Sequence, residues 1–431
     1  MYYLRMKVIN LYLHGLMVYK VIGLMSGSSL DGLDIVYVHL QESATTIKDG
    51  PRKWEFTILH ADTYPYTEEW RNRLATARDL SAGEYLLLHT AYGNYLGEQV
   101  LRFIEKHNLH YQVQLISSHG HTTFHLPQQK MTAQLGDGAA LAATTKINVV
   151  SDLRAMDVAL GGQGAPIVPV GERMLLGDYG FFLNLGGIAN VSAHGARGIG
   201  QGDSGAGSQE SAGKFVAFDV CPANRVLNEL AALAGREFDA GGEIAARGQV
   251  AEGLLQQLNA LPYYGQPYPK SLANEFGTET VLPMVLGAMG RADGTGRRTA
   301  GAKEGGWTVG ASEGGQAAGL STEDALRTYV EHIAVQVRLA VEGMLQVGGG
   351  RMLVTGGGAH NTFLIDRLRE LLAPLNIEVF VPDSQLVDYK EALVMALIGV
   401  LRWREENNVF ASVTGASRDS IGGAVWIGQE A

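Results

Sequence analysis

Three glycine clusters each follow an apolar stretch that reads as a β-strand. They are Gly27-Ser28-Ser29-Leu30-Asp31-Gly32, Gly186-Gly187 and Gly356-Gly357-Gly358. Because glycine carries no side chain, successive backbone N–H groups in such a turn can approach an anion closely. The serine hydroxyls would add donors, and Asp31 could hold a Mg²⁺-bound water. One such cluster is more often a tight hairpin without a ligand, but three at strand ends favour a nucleotide site.

Two familiar nucleotide-binding fingerprints are missing from the sequence. There is no G-x-x-x-x-G-K-[ST] motif, which argues against a P-loop NTPase. No strand leads into G-x-G-x-x-G and a helix near residue 20, which argues against a Rossmann domain. Hairpin loops in two halves, followed by a late strand–GGG–helix, resemble instead the actin-like ATPases. In that superfamily the first two loops grip phosphates and the third lies near the adenosine.

The elements that must position these loops alternate between strands and helices, so the sequence predicts the α/β class. Apolar runs predict strands at Val21–Leu24, Leu33–Val38, Phe181–Leu185, Ile188–Ser192, Lys214–Asp219 and Met352–Thr355. Helical spacing of apolar residues predicts helices at Ala82–His107, Gln134–Thr145, Ala223–Ala234, Thr322–Val347, Asn361–Leu372 and Lys390–Glu405. The repeated strand–glycine loop–strand unit indicates two similar halves rather than one sheet.

The composition of the chain limits which classes of binding partner and which cellular location are expected. Its 431 residues carry a formal net charge of −10, which disfavours a nucleic acid but not ATP, since local amides and Mg²⁺ hold a nucleotide. The only cysteine, Cys221, excludes an intrachain disulfide and fits a cytoplasmic protein. The first twenty residues begin no apolar run of 18 and show no clean small-residue cleavage site, so residues 1–17 predict an extended amino terminus, with Met17 as an alternative start and a weak signal peptide as the alternative interpretation. Segments 195–213 and 287–319 are glycine-rich and predict surface insertions.

The ordered motifs of the chain resemble the anhydro-N-acetylmuramic acid kinases. The resemblance begins at VIGLMSGSSLDGLDIV and continues through SSHGHTTFHLP, QLGDGAALA, SDLRAMDVALGGQGAPIVP, LNLGGIANVS, AFDVCPAN, VTGGGAHN, KEALVMALIG and SVTGAS. It spans nearly the whole chain beyond Val18, apart from the two glycine-rich insertions. GGQGAP at Gly161–Pro166 and GGIAN at Gly186–Asn190 are its most specific parts.

The resemblance implies a definite reaction. Members of the family phosphorylate the 6-oxygen of 1,6-anhydro-N-acetylmuramic acid with ATP and Mg²⁺, and they hydrolyse the anhydro bridge to give N-acetylmuramic acid 6-phosphate in cell-wall sugar recycling. Asp219 corresponds to the family's base, which deprotonates the water that attacks C1. Arg154 matches an arginine that reaches the lactyl carboxylate, and Glu391 matches a carboxylate near the site.

Each of these residues also has a structural explanation. Asp219 could cap the helix that begins near Pro222, and on the sequence alone cap and base are about even. Arg154 could pair with Asp152 or Asp157, and Glu391 could be a solvated residue in the first turn of a helix. His119 and His121 have spacing that a metal could use, but hydrogen-bonded structural histidines are the better interpretation.

The chain departs from the family pattern on its sugar side. Val220-Cys221-Pro222-Ala223-Asn224 stands where Thr-Gly-Pro-Gly-Asn is usual, and Lys270-Ser271-Leu272-Ala273-Asn274-Glu275 where Lys-Ser-Thr-Gly-Arg-Glu is usual. His121 occupies a position where glutamine is common. These changes keep two alternatives open: a kinase of the same fold that acts on another small sugar or acid, and a non-catalytic ATP-binding scaffold.

The resemblance implies an actin-like ATPase fold, with two ribonuclease-H-like domains around a nucleotide cleft. We expect domain I to comprise residues 18–134 and 404–431, and domain II residues 135–403. ATP and Mg²⁺ would lie across the three glycine loops, and the chain would act as a homodimer.

Overall fold

The computed structural model describes residues 17–27, 29–43, 53–194, 215–268, 270–273, 275–291, 319–344 and 349–428. Ser28, residues 1–16, all of the glycine-rich segment 195–213 and residues 292–318 of the glycine-rich segment 287–319 lie outside this description. The described chain divides into two compact units. Unit 1 contains the residues up to Tyr179 and those from Asp383 onward, and unit 2 contains Gly180 to Pro382 apart from Phe215.

Unit 1 is built on a seven-stranded mixed sheet. Its strands are β1 Val18–Ser26, β2 Gly32–Glu42, β3 Trp54–Pro65, β4 Leu115–Leu126, β5 Met131–Leu135, β6 Asn148–Ser151 and β12 Ala424–Trp426. The order is β12-β6-β4-β1-β2-β3, with β5 paired to β4. β1, β2 and β3 form an antiparallel meander, and β4 and β6 continue the sheet parallel to β1.

Helices cover both faces of this sheet. They are α1 Glu68–Ala75, α2 Ala82–Lys106, α3 Gly138–Thr145, α4 Ala155–Ala159, α5 Pro169–Leu175, α12 Ser384–Trp403 and α13 Ala411–Thr414. On one face α2 packs Tyr92 and Leu96 into a core cluster with Ile22 and Leu24 of β1. The residue between those two strand positions, Gly23, faces the other way, and a methyl group there would lie 2.0 Å from the Ala392 carbonyl of α12. A glycine is therefore required where α12 crosses β1.

Unit 2 repeats the same strand order in a five-stranded sheet. Its strands are β7 Phe181–Leu185, β8 Ile188–His194, β9 Phe215–Pro222, β10 Gly350–Thr355 and β11 Ile377–Phe380. The sheet order β9-β8-β7-β10-β11 corresponds to β3-β2-β1-β4-β6 of unit 1. In both units the first two strands form an antiparallel hairpin and a later strand joins the first in parallel. The expectation of two ribonuclease-H-like domains is thus confirmed.

The helices of unit 2 pack around one long helix, α10. They are α6 Asn224–Ala232, α7 Glu243–Arg247, α8 Glu252–Asn259, α9 Leu282–Ala288, α10 Thr322–Met344 and α11 Thr362–Leu372. α10 contacts α6, α7, α8 and α11. None of the helices in the described residues combines the length and apolar composition that a bilayer crossing requires.

The division of the chain differs from the predicted domain limits. Instead of changing domain at residue 134, the chain remains in unit 1 to Tyr179, because β6 pairs in parallel with β4. It returns to unit 1 at Asp383 rather than at residue 404, because all of α12 packs on β1 and β4.

Two predicted helix starts are also displaced. The helix expected from Gln134 begins at Gly138, since Met131–Leu135 pairs with β4 and Asp137 caps α3. The helix expected from Lys390 begins at Ser384, because Asp383 caps it through the Leu386 N–H.

Candidate active site

Two of the three predicted glycine loops meet in unit 2, at the start of α6. The Ala223 N–H donates to the Gly187 carbonyl at 2.8 Å, and the Asn224 N–H donates to the Gly186 carbonyl at 3.0 Å. The Asn224 side chain donates from Nδ2 to the Leu185 carbonyl at 2.9 Å. A methyl group on Gly358 would lie 2.9 Å from Asn224 Oδ1, so this asparagine also contacts the Gly356–Gly358 turn. The two turns therefore form one surface at the ends of β7 and β10.

The glycines of this surface fall into two groups. Gly356 has a φ of +82°, and a methyl group there would lie 2.6 Å from Asn184 Oδ1. Gly358 is equally tight, with Leu185 Cβ at 2.7 Å from such a methyl group. Packing therefore explains both of these glycines without any ligand.

Gly186, Gly187 and Gly357 have no such structural requirement. None of them adopts a positive φ. A methyl group on any of the three would meet no described atom closer than 3.6 Å, which is ordinary van der Waals contact. Unit 2 therefore has a surface of backbone amides onto which a ligand could pack closely.

Asp219 lies in β9, five residues before α6. Its Oδ2 accepts a hydrogen bond from the Leu272 N–H at 2.8 Å, and its backbone is held by Tyr263 Oη and the Lys270 carbonyl. Among the described residues, Oδ1 accepts no hydrogen bond. Burial raises the pKa of this carboxyl, and the Leu272 hydrogen bond opposes that rise. The alternative interpretation as a helix cap is wrong, because α6 has Ala223 at its N-cap with no side-chain cap.

The first predicted loop lies in unit 1, between β1 and β2. Gly32 is fixed by packing, since a methyl group there would lie 2.6 Å from the Tyr64 carbonyl. Leu30 adopts a left-handed φ of +59°, and the Asp31 carbonyl accepts from the Tyr66 N–H at 3.2 Å. Gly27 has no packing requirement for a glycine, like Gly186, Gly187 and Gly357. Among the described atoms, only those of Ser29 come within 4 Å of a methyl group at this position.

Arg154 precedes α4 and is bound to neutral partners. Its Nε donates to His119 Nε2 at 2.8 Å, and its Nη1 donates to the Gly164 carbonyl at 2.5 Å. Since His119 Nε2 accepts, the proton lies on Nδ1, which donates to the Gly120 carbonyl at 2.8 Å. Burial and the nearby Arg154 charge lower the pKa of His119 to about 3.

Neither structural alternative for Arg154 is formed. Asp157 binds the Gly164 N–H and the Thr414 hydroxyl instead. Asp152 accepts from the Ser151 hydroxyl. In the described part of the chain, Arg154 makes no ion pair within 4 Å, so part of its guanidinium stays available for a ligand.

Glu391 lies in the second turn of α12, not in a solvated first turn. Burial raises the pKa of its carboxyl, and the charges of Lys390 and Arg154 counteract the rise. Burial lowers the pKa of Arg154 to about 10 and the charge of Glu391 opposes that fall, so these two predicted site residues interact electrostatically. The neighbouring Lys390 forms a buried ion pair with Glu172 of α5 at 2.8 Å.

Asp34 of β2 belongs to the same electrostatic group. Burial raises the pKa of Asp34 to about 6, and the charges of Glu391, Asp31 and Asp388 contribute to the rise. The Thr63 hydroxyl donates to Asp34 Oδ1 at 2.6 Å and favours the charged form. The charges of Asp31 and Glu391 thus both act on Asp34.

His121 ends a buried chain of hydroxyl groups. Tyr66 donates to Ser26 Oγ at 2.7 Å, and Ser26 lies 3.0 Å from His121 Nδ1. Tyr66 also lies 2.6 Å from the Tyr92 hydroxyl. Burial lowers the pKa of His121 to about 4. Both histidines of the SSHGHT motif are therefore hydrogen-bonded structural groups, and within the described residues no cluster of three or more metal-ligating side chains exists.

Sequence reasoning missed Asn224, Arg225 and Asp34. Asn224 and Arg225 follow the Asp219 strand directly, so a helix start beside the Gly186-Gly187 turn could have indicated them. Asp34 stands two residues inside an apolar strand, and a carboxylate in such a run is itself an unusual feature.

Comparison with known proteins gives a consistent result. The family model described as anhydro-N-acetylmuramic acid kinase matches residues 19–428. A protein of that name from Gloeobacter violaceus is 32% identical over 409 residues, which cover 92% of this chain and 96% of the relative. One from Coxiella burnetii is 30% identical over 420 residues, covering 95% and 98%.

Solved structures show a weaker likeness. The activator of the 2-hydroxyisocaproyl-CoA dehydratase from Clostridium difficile with bound ADPNP aligns with a TM-score of 0.40 and 14% identity, over 90% of this chain and 96% of that one.

Proposed function

This chain belongs to the anhydro-N-acetylmuramic acid kinase family, and from that premise we propose that it phosphorylates 1,6-anhydro-N-acetylmuramic acid with ATP while opening the anhydro bridge by hydrolysis. The product would be N-acetylmuramic acid 6-phosphate. The observation that carries the proposal is Asp219, a half-buried carboxylate with one oxygen held by a backbone amide and the other left without a described partner.

The proposed reaction balances with a single carboxylate acting on the water. The C1–O6 bond breaks, O6 takes the γ-phosphoryl group of ATP as the bond from that group to ADP breaks, and a water oxygen bonds to C1. An ordinary inverting glycosidase needs a second carboxyl to protonate the leaving oxygen, but here the phosphoryl group takes that role. Asp219 would receive the proton of the attacking water. Burial raises its pKa and so increases its basicity, while the Leu272 amide fixes the orientation of the carboxylate.

Arg154 and Glu391 would bind the sugar. The guanidinium of Arg154 is oriented by His119 and the Gly164 carbonyl, and a carboxylate such as the lactyl group is the ligand that its planar fork prefers. Glu391 interacts electrostatically with that arginine and would accept hydrogen bonds from sugar hydroxyls.

ATP would supply the phosphoryl group, and the glycine turns would hold its phosphates. Gly27, Gly186 and Gly187 fit this role because the fold itself does not require a glycine there, and Gly357 is equally open in the turn that would lie near the adenosine. Ser28 lies outside the described residues, and Ser29, Leu30 and Gly32 complete the first turn. Gly356 and Gly358, which the packing requires, would shape the third glycine turn.

Mg²⁺ would enter with the triphosphate and would need few protein ligands. The described residues provide no cage of three metal-ligating side chains, which fits an ion held mainly by phosphate oxygens and waters. Asp31 would hold one of those waters. The cytoplasmic location and the homodimeric state stay predictions of the sequence.

Mass spectrometry of the product tests the proposal directly. The purified chain is incubated with anhydro-N-acetylmuramic acid, ATP and Mg²⁺. The expected product has gained both a phosphoryl group and a water. A gain of the phosphoryl group alone would contradict the hydrolytic step, and an unchanged sugar would contradict the kinase activity.

A further inference from the structure

The guanidinium of Arg225 lies against the Gly186-Gly187 turn. Arg225 is the second residue of α6, and its backbone N–H donates to the Gly187 carbonyl at 3.4 Å. A methyl group on Gly187 would lie 3.8 Å from Arg225 Nε and 3.9 Å from Nη2. The charged end of the side chain thus runs along the turn whose glycines the fold does not require.

Like Arg327, Arg225 does not satisfy every buried N–H group of its guanidinium within the described residues. Its Nε is buried and has no hydrogen-bond partner among the described residues, and no described carboxylate forms an ion pair with it. By contrast, Arg367 pairs with Glu331 and Arg404 pairs with Glu42 and Glu406. Because arginine stays charged at all ordinary pH values, a buried unpaired N–H of this group is unfavourable until an acceptor arrives.

The chemistry of the position selects an anion. Guanidinium N–H groups only donate, and their planar fork matches the oxygens of a phosphate. The same turn has room for a ligand at Gly186 and Gly187. We propose that Arg225 donates hydrogen bonds to a phosphate oxygen of the nucleotide bound at the Gly186-Gly187 turn. The inference rests on the proposed function, since it takes the nucleotide from there, and it adds a charged residue to a surface otherwise made of backbone amides.

Affinities for ATP, ADP and adenosine test this assignment. Arg225→Met is compared with wild type by calorimetric titration of ATP and ADP, and by ligand-observed NMR for adenosine. We expect the variant to bind both nucleotides about 10- to 100-fold more weakly, because a hydrogen bond to a charged group is lost. Adenosine binding should be unchanged, because adenosine has no phosphate. The affinities of Arg225→Lys for ATP and ADP should lie between those of wild type and those of Arg225→Met, because lysine keeps the positive charge but lacks the planar guanidinium.

A matched control separates this effect from the loss of a positive charge. Arg369 of α11 is exposed and pairs only with Asp366 three residues earlier in the same helix. Arg369→Met should leave all three affinities at the wild-type values. If Arg225→Met does not fold, Arg225→Lys and Arg225→Gln carry the same comparison.

The possible outcomes separate this inference from the proposed function. Wild-type affinity of the Arg225 variants for ATP would overturn the assignment while leaving the kinase activity intact. An equal loss of adenosine and ATP binding would also overturn it, because Arg225 would then only support the fold. A wild-type chain that binds no ATP would instead overturn the proposed function, and this inference with it.

Discussion

The side-chain amide of Asn224 donates a hydrogen bond to the carbonyl oxygen of Leu185, 2.9 Å away. This contact joins the end of β7 to the first residue of α6. The same side chain lies against Gly358 through its Oδ1 atom, and its backbone N–H binds the Gly186 carbonyl. One asparagine therefore sets the spacing of both glycine turns in unit 2.

Asn224→Ala should weaken both stability and nucleotide binding. Loss of the hydrogen bond leaves the Leu185 carbonyl without this donor and should lower the free energy of unfolding by about 1–2 kcal/mol. The KM for ATP should rise, because the turns lose their common contact. Urea denaturation and steady-state kinetics measure the two effects.

Asn408→Ala is the matched control for that variant. Asn408 of unit 1 bridges the Ile398 and Gly422 carbonyls through its own Nδ2. Its alanine variant should lose comparable stability with no change in the KM for ATP. A similar KM in both alanine variants would contradict a specific role for Asn224.

Gly187→Ala should weaken ATP binding without changing stability, whereas Gly358→Ala should lower the stability of the fold. A methyl group at position 187 has room, so the free energy of unfolding should stay within about 0.5 kcal/mol of wild type while ATP affinity falls. At position 358 the methyl group would lie 2.7 Å from Leu185 Cβ, and overpacking should cost about 1–3 kcal/mol. Gly180→Ala, where no atom lies within 4 Å, is the control for an open glycine. Undiminished ATP affinity in Gly187→Ala would exclude this turn as a ligand surface.

Local patterns in the sequence predicted most of the elements of this fold. The β1–β2 and β7–β8 hairpins and the helix after Gly356–Gly358 follow from apolar runs that small residues interrupt, and the structure has all three. The limits of the two units were harder to predict from the sequence. They depend on β6 pairing with β4 and on α12 packing across β1, and both are contacts between distant parts of the chain.

The candidate site was predictable by residue type but not by environment. Asp219, Arg154 and Glu391 stood out from the motifs around them. Which glycines the fold requires could not be read from the sequence, because Gly357 and Gly358 are neighbours with opposite packing. The partners of Arg154 were unexpected for a similar reason: two acidic residues lie nearby in sequence, yet it binds His119 from β4.

Asp219→Asn should bind ATP normally and lose about two to four orders of magnitude in rate. The amide can still accept from the Leu272 N–H through its oxygen, so the geometry is preserved, but it cannot take a proton. The wild-type rate should fall toward acid pH with a pKa above the usual carboxyl value, because burial raises the pKa of Asp219. Stopped assays of sugar phosphate from pH 4 to 8 measure both effects, and an undiminished rate in the variant would remove Asp219 from the reaction.

Lys390→Met should strongly destabilise the chain. The side chains of Lys390 and Glu172 are 3% and 4% exposed, so removing the lysine takes away the buried positive charge that faces the Glu172 carboxylate. The expected loss is about 3–5 kcal/mol of unfolding free energy. The double variant Lys390→Met with Glu172→Leu should recover most of that loss, because both charges of the pair are then removed. Equal stability of the single and double variants, measured by urea denaturation, would contradict a coupled pair.

Asp34→Asn should remove a pH dependence from the stability of the chain. The pKa of Asp34 is about 6 in the folded chain against an ordinary value of 3.8, so the folded state binds this proton more tightly than the unfolded state. The contribution to stability is therefore complete below about pH 4, decreases as the pH rises toward 6, and is then constant. Asparagine stays neutral and can keep the Thr63 hydrogen bond, so the variant should differ from wild type much less at pH 4.5 than at pH 7. At pH 7 it should be more stable by about 1.5–3 kcal/mol. Urea denaturation at pH 4.5, 5.5 and 7 tests this, with Asp79→Asn as an exposed control in the same unit. A variant that is less stable than wild type at every pH would show that the carboxylate is needed for packing and not merely tolerated.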